Sequence, residues 1–330
     1  MTLQHVPIID IEPFRNGDAQ TRQEVAREVN NACRDIGFLV LRGHGVDPQT
    51  LEHVHQLSRA FFDLPMDERR RVERPAPDVT RGYIGLAEES LARSQGETTA
   101  PGDLNESFMI GPINVPDTPY YRSEEAGNHF HPNLWPEQPE GFRAAYENYF
   151  REMSELAQTI MRVFALALDL PEHYFDDKID AHISRLRVRN YPAPTDDPDE
   201  GQLRVGPHSD YGSLTILKTE DNPGGLQVRN QAGEWVDVPI EPDCFVINIG
   251  ELLARWTNDY WRATLHRVKN PPPDQSEGSR RQSIVFFHNP NYDAEIACLP
   301  TCLGPGETPK FEATTSGGHL RGQFVRTQAE

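Results

Sequence analysis

GPHSDYGSLTILKTE, residues 206–220, joins a polar turn to an apolar strand-like run, and similar runs precede and follow it. These runs are LRVRNY (186–191), GLQVRN (225–230), EWVDVPI (234–240), CFVINIG (244–250), ATLHRV (263–268) and RQSIVFFHN (281–289). Gly, Pro, Asn and Asp separate them, so that one run begins roughly every ten residues. Many short strands at this spacing predict a β-sandwich, barrel or jelly roll in the C-terminal part of the chain.

The N-terminal part contains helical patterns instead. Apolar residues at helical spacing lie between residues 18 and 37, and a longer apolar stripe runs from Phe142 to Ala167. Residues 66–137 are polar and rich in Pro, and we expect them to form irregular loop around a site rather than core. The chain therefore divides into a helical and loop region (1–182) and a β-core (183–330), which we expect to form one compact unit.

Charge and composition exclude several classes of function. The chain has 330 residues, with 32 Lys and Arg against 51 Asp and Glu, which gives a net charge of −19. Binding to nucleic acid or to an anionic membrane surface requires a basic patch, so neither partner is expected. Because the sequence lacks a charged and apolar leader pattern and a long apolar span, we expect a cytoplasmic location. The four cysteines form no CxxC pair, which argues against a zinc ribbon.

Two histidines and an aspartate are candidate metal ligands. His208 and Asp210 lie two residues apart, and on an extended segment such residues project from the same face. An isolated pair of this kind indicates no more than a polar turn, and a single histidine such as His266 is usually a core residue. Together, however, two imidazoles and one carboxylate on a β-scaffold form the ligand set of non-haem Fe(II) oxygenases.

A second pair of residues is a candidate acid-binding site. Arg281 and Ser283 open the last apolar run and share one face of it, so a guanidinium and a hydroxyl point the same way. Arg binds a carboxylate through two parallel charge-assisted hydrogen bonds. The pair therefore suits a dianionic acid bound in the cavity that both side chains face.

From end to end, the chain resembles the isopenicillin-N-synthase-like family of 2-oxoglutarate- and Fe(II)-dependent oxygenases. The segments that carry the resemblance follow in the family's order: ACRDIGFLVLRGHGVD, AFFDLPMDERR, Asn190-Tyr191-Pro192, GPHSDYGSLTIL, GGLQV, VINIGELLARWTND, LHRV and RQSIVFFHNP. INIGELLARWTND resembles the thymine-hydroxylase-like branch in particular. The resemblance implies a mainly β fold with α support, in which N-terminal helices pack around a double-stranded β-helix (jelly-roll) core.

The resemblance also implies roles for individual residues. Fe(II) would be bound by His208, Asp210 and His266, with no catalytic residue beyond the metal centre. The distal carboxylate of the cosubstrate 2-oxoglutarate would be bound by Arg281 and Ser283, with the Tyr191 hydroxyl as a further donor. Dioxygen would be the second cosubstrate, and succinate and carbon dioxide would be released.

Some positions depart from the family's pattern or have an open role. Glu251 stands where the family often has Asp, and Arg189 stands where Asn is common, so Arg189 could bind substrate, cosubstrate or a neighbouring acid. Phe287 alternates with the core residue Phe286 and is a candidate substrate contact. The resemblance also implies that residues 81–111 form a wall of the pocket.

These observations predict an oxygenase that oxidises, most simply hydroxylates, a small-molecule metabolite. The overall negative charge disfavours polyanionic substrates, and the resemblance implies a free small molecule, so we expect a neutral or zwitterionic compound. Two alternatives stay open at this point. One is a 2-oxoglutarate-independent oxidative cyclase of the same fold, against which Arg281 and Ser283 argue. The other is a non-catalytic metal-binding jelly-roll module.

Overall fold

The computed structural model describes residues 5–97, 99–194 and 197–328, with side chains up to residue 323. The strands are β1 (Ile8–Asp10), β2 (Phe38–Arg42), β3 (Gly82–Ile84), β4 (Glu106–Ile110), β5 (Arg185–Tyr191), β6 (Val205–His208), β7 (Leu214–Thr219), β8 (Leu226–Arg229), β9 (Trp235–Asp237), β10 (Phe245–Ile249), β11 (His266–Val268), β12 (Arg281–His288), β13 (Glu295–Ile296) and β14 (Thr314–Thr315). The α-helices are α1 (Glu12–Asn16), α2 (Ala19–Asp35), α3 (Pro48–Phe62), α4 (Met66–Arg70), α5 (Pro119–Arg122), α6 (Phe142–Ala167), α7 (Glu251–Trp256) and α8 (Ser316–Gln328).

Two sheets form the centre of the fold in this described part of the chain. The large sheet has the strand order β1-β2-β10-β7-β12-β5-β4-β3, and the small sheet has the order β6-β11-β8-β9. Apolar side chains from both sheets, among them Val40 and Val246 of the large sheet and Val205 and Val228 of the small one, share one buried cluster. The predicted mainly β core with helices around it is confirmed.

Strand β12 shows how the large sheet separates core from site. Successive side chains of a strand point to opposite faces, and Phe286 points away from the small sheet. Its ring meets Phe150 of α6 edge to face, with ring centroids 5.2 Å apart. Arg281, Ser283 and Phe287 lie on the other face, which lines a cavity next to the small sheet. One strand thus packs against a helix and supplies the site as well.

Helices α2, α3 and α6 cover the outer face of the large sheet. Helix α6 buries its apolar stripe there, as its periodicity predicts, and α2 and α3 pack against it. Helix α3 begins where the Asp47 side chain accepts a hydrogen bond from the Gln49 backbone N–H at 2.9 Å, with Pro48 as the first helical residue. None of the helices in the described residues combines the length and apolarity needed to cross a membrane.

The prediction that residues 66–137 form irregular loop is wrong in part, because β4 is a buried strand of the large sheet. Its first two residues are polar, and this hid the strand in the sequence. Glu106 accepts a hydrogen bond from Asn190 Nδ2 at 2.8 Å, and Ser107 Oγ accepts one from Arg187 at 2.7 Å. Buried polar groups are tolerated when they are paired in this way, and both partners lie on β5, far away in the sequence.

Other strand predictions need smaller corrections. The run ATLHRV contributes only His266–Val268 to a strand, and EWVDVPI contributes only Trp235–Asp237. Strands on both sides of residue 182 pair within the large sheet. The division at that residue stays a prediction.

Candidate active site

Strands β6 and β11 of the small sheet place two histidines side by side. His208 and His266 are a register pair of the antiparallel ladder, and their ring centroids are 4.2 Å apart. Asp210 follows two residues after His208, so its carboxylate reaches the same point. The Nε2 atoms of both histidines lie 3.8 Å from Asp210 Oδ1. One ligand atom from each residue lies within 4.8 Å of the others.

Each histidine is oriented through its second ring nitrogen. Nδ1 of His208 lies 2.9 Å from the Gly206 carbonyl oxygen, and Nδ1 of His266 lies 3.1 Å from that of Thr264. A carbonyl oxygen only accepts, so Nδ1 carries the proton and Nε2 presents its lone pair to the shared point. Burial, together with the neighbouring His266, lowers the pKa of His208 to about 3, which keeps that imidazole neutral.

Asp210 is held by two side chains of the large sheet. Its Oδ2 atom accepts hydrogen bonds from Thr215 Oγ1 at 2.6 Å and from Asn248 Nδ2 at 2.7 Å. Oδ1 is thus directed toward the two imidazoles. Two imidazole nitrogens and one carboxylate oxygen fit a divalent iron ion with coordination positions left for other ligands.

A narrow cavity between the sheets leads from these three residues to Arg281. The Arg281 guanidinium donates to the Gly224 carbonyl at 2.6 Å, to the Glu220 carbonyl at 3.1 Å and to Thr219 Oγ1. Its Nε–H is buried and has no partner among the described residues. Nor does the guanidinium pair with a carboxylate in this part of the chain, so a buried positive charge lacks its counter-ion.

Two hydroxyl groups lie near this guanidinium. Tyr191 OH and Ser283 Oγ are 3.2 Å apart, and the Arg281 guanidinium lies 5.5 Å from the centre of the Tyr191 ring. Burial lowers the pKa of Arg281, although not enough to discharge it near neutral pH. An orphaned N–H, a charge without a counter-ion and two hydroxyls fit the distal carboxylate of 2-oxoglutarate.

A second cavity of about 370 Å³ adjoins the first. The two share Arg189, His208, Asp210 and Phe287 as lining residues, so they meet at the candidate metal ligands. Glu88, Glu89, Ser90, Leu91, Arg93 and Met109 line the second cavity, in the place where the sequence predicts a pocket wall.

The structure brings all the predicted site residues to these two cavities. His266, Arg281, Ser283 and Tyr191 line the first, while His208, Asp210, Arg189 and Phe287 line both. The sequence reasoning missed Thr215 and Asn248, which no local pattern marks. It also missed Arg185 and Arg187 in the second cavity, although the alternating arginines of RLRVRNY were a visible signal.

Comparisons with known proteins agree with this geometry. The family model described as non-haem dioxygenase in morphine synthesis N-terminal matches residues 6–138. The model of the 2OG-Fe(II) oxygenase superfamily matches residues 182–290, which include the candidate metal ligands and Arg281.

Individual relatives match over nearly the whole chain. The 2-oxoglutarate-Fe(II) type oxidoreductase hxnY of Emericella nidulans is 32% identical and covers 97% of this chain and 90% of its own. A homoarginine-6-hydroxylase of Oryza sativa subsp. japonica is 31% identical over 96% of this chain and 95% of its own. The full-length thymine-7-hydroxylase of Neurospora crassa in complex with alpha-KG is 32% identical, with a TM-score of 0.84 over 98% of this chain and 96% of its own. The chain therefore belongs to the 2-oxoglutarate- and Fe(II)-dependent oxygenases, and it is an enzyme of that class with Fe(II) and 2-oxoglutarate as cofactor and cosubstrate.

Proposed function

We propose that the enzyme hydroxylates a small molecule in the 370 Å³ cavity, next to iron and 2-oxoglutarate held in the narrow one. In this proposal the iron ligands are His208, Asp210 and His266, and the residues that bind the distal carboxylate are Arg281, Ser283 and Tyr191. The observation that carries the proposal is that both cavities end at the same two metal-ligand candidates, His208 and Asp210. A molecule in the larger cavity would therefore lie beside the metal.

When bound, Fe(II) with 2-oxoglutarate and dioxygen supplies the oxidising chemistry, and succinate and carbon dioxide are released. The protein's own contribution is placement. Thr215 and Asn248 aim the Asp210 carboxylate, and the backbone oxygens around Arg281 hold its guanidinium at the far end of the narrow cavity. Apolar side chains such as Val285 and Leu217 line the space between and exclude water.

The proposal of a small-molecule substrate is supported by the relatives. Structures of the Neurospora crassa thymine-7-hydroxylase contain thymine or 5-formyluracil, and a JOX2 structure contains JA. A cavity of about 370 Å³ is within the usual range for small ligands. The cytoplasmic location stays a prediction of the sequence.

The proposed function is tested by adding Fe(II), ascorbate and 2-oxoglutarate to the purified protein and measuring succinate. Without an added substrate we expect slow succinate formation. With one or more members of a metabolite library we expect faster formation. A product 16 mass units heavier than its substrate identifies hydroxylation. Oxidation of a library member without consumption of 2-oxoglutarate would instead establish the cyclase, and neither reaction in a protein that binds Fe(II) would establish a non-catalytic module.

Thr215→Val is expected to weaken Fe(II) binding about tenfold or more, the usual effect of losing a hydrogen bond to a metal ligand. Valine keeps the shape of threonine but cannot donate to Asp210 Oδ2, which would then depend on Asn248 alone. Anaerobic Fe(II) titration measures the effect. Thr159→Val, which removes a hydroxyl that donates to the Glu155 carbonyl within α6, is the control. An unchanged half-saturation in Thr215→Val would contradict the proposed role of Thr215 in orienting Asp210.

A further inference from the structure

Three arginines alternate along β5 and point into the larger cavity. Arg185, Arg187 and Arg189 line it, while Leu186 and Val188 between them are fully buried in the core. In the ladder with β12, Arg189 lies opposite Ser283 and Arg185 lies opposite Phe287. This arginine row runs along the wall of the cavity and reaches the narrow cavity at Arg189.

The larger cavity carries more positive than negative side chains. Its described lining contains five arginines, the row together with Arg74 and Arg93, and three carboxylates, Glu88, Glu89 and Asp210. Glu89 binds two of the arginines, since it accepts from Arg187 and, at 3.2 Å, from Arg74. Burial by itself would raise the pKa of Glu89, but the charges of Arg187 and Arg189 outweigh that effect and hold the pKa below its ordinary value.

The other two carboxylates of the cavity are also engaged. Glu88 pairs with Arg70 at 3.0 Å and accepts from the Gly85 backbone N–H. Asp210 is directed at the histidine pair, as described above. Neither carboxylate forms an ion pair with Arg189.

Arg189 is hydrogen-bonded to a neutral amide rather than to a carboxylate. It is 5% exposed, and its Nη1 atom donates to the neutral amide oxygen of Asn105 at 2.8 Å. Within the described residues, it forms no ion pair with a carboxylate. Glu89 and Asp103 are close enough for their charges to interact with Arg189, but neither accepts a hydrogen bond from it. A bound carboxylate would add charge-assisted hydrogen bonds to this buried guanidinium.

Much of the uncharged lining of this cavity is apolar. Leu91, Met109, Phe287 and Leu320 supply hydrocarbon surface around the arginine row. A ligand that matches both features has an anionic end and an apolar body. Phosphate monoesters, with two negative charges, match a single guanidinium less well than a carboxylate does.

We propose that the substrate is a small carboxylic acid whose carboxylate binds Arg189 and whose apolar body packs on Phe287. This inference rests on the proposed function and narrows its substrate class. It differs from the neutral or zwitterionic compound expected from the net charge of −19. The whole-chain charge reflects mainly the solvent-exposed surface, whereas the lining of one buried cavity has a balance of its own.

The test compares carboxylic acids with their uncharged amides. Binding of phenylacetate, indole-3-acetate and cyclohexanecarboxylate, and of the three corresponding amides, is measured by calorimetry without oxygen on the enzyme loaded with Fe(II) and 2-oxoglutarate. We expect at least one acid to bind about tenfold or more tightly than its amide, as for a hydrogen-bonded charge pair. The proposal is overturned if no acid binds better than its amide.

Variants assign the preference to Arg189. In Arg189→Gln we expect acid and amide to bind within about twofold of each other, whereas Arg189→Lys keeps part of the preference. Arg229→Gln, which removes a strand guanidinium exposed to solvent, should keep all of it. Thermal unfolding of each variant checks that the fold is intact.

Two further outcomes separate the possible failures. If Arg189→Gln weakens 2-oxoglutarate binding and keeps the acid preference, Arg189 binds the cosubstrate and the inference is wrong. If the unaltered enzyme does not decarboxylate 2-oxoglutarate at all, the proposed function is wrong, however tightly the carboxylic acids bind.

Discussion

His266→Ala is expected to abolish turnover of 2-oxoglutarate while the protein still unfolds cooperatively. The variant loses one of three candidate ligands, and His208 and Asp210 alone hold a divalent ion weakly. Changes to residues that only support a metal ligand already cost about 10- to 100-fold in affinity or activity. Loss of the ligand itself should therefore reduce iron affinity and activity by more than about 100-fold.

The measurement is succinate formation, together with anaerobic Fe(II) titration, which reports the metal site without turnover. His208→Ala should behave in the same way, because the two histidines face each other across the β6–β11 ladder. His53→Ala is the matched control, since His53 lies on the exposed face of α3. Near-normal activity in either His208→Ala or His266→Ala would refute the assignment of the iron site.

Arg281→Lys is expected to weaken 2-oxoglutarate binding by about 1–3 kcal/mol, which is about 5- to 150-fold. Lysine keeps the charge but loses the planar fork. It cannot donate at the same time to the Gly224 carbonyl, to Thr219 and to a carboxylate at the position of the orphaned Nε–H. The apparent affinity for 2-oxoglutarate measures the effect.

Arg280, next to Arg281 in the sequence, offers a matched control for Arg281→Lys. Arg280 donates to Asn190 at 3.0 Å and pairs with Asp63, away from the narrow cavity. Arg280→Lys should leave the affinity for 2-oxoglutarate within about twofold of its original value. If Arg281→Lys changes the affinity for the oxidised substrate and leaves that for 2-oxoglutarate unchanged, Arg281 binds the substrate instead.

Much of the candidate site could be predicted from the sequence because its geometry is local. Residues two apart on a strand share a face, which is why His208 with Asp210, and Arg281 with Ser283, could be paired without a structure. The fold class follows from the spacing of short apolar runs, and the helix over Phe142–Ala167 follows from its stripe. The roles of these site residues stay predictions until the variants are measured.

Only the tertiary structure decided what depends on partners distant in the sequence. The β6–β11 register brings His266 to His208, and pairing with β5 makes a buried strand of the polar segment at Glu106. The charges around Arg189 likewise could not be predicted from the sequence. The sequence does not reveal which arginine has a carboxylate beside it, because ion pairs form between side chains that the folding of the sheets brings together. Strand periodicity is a property of neighbouring residues, whereas register, burial and charge compensation arise from contacts across the whole fold.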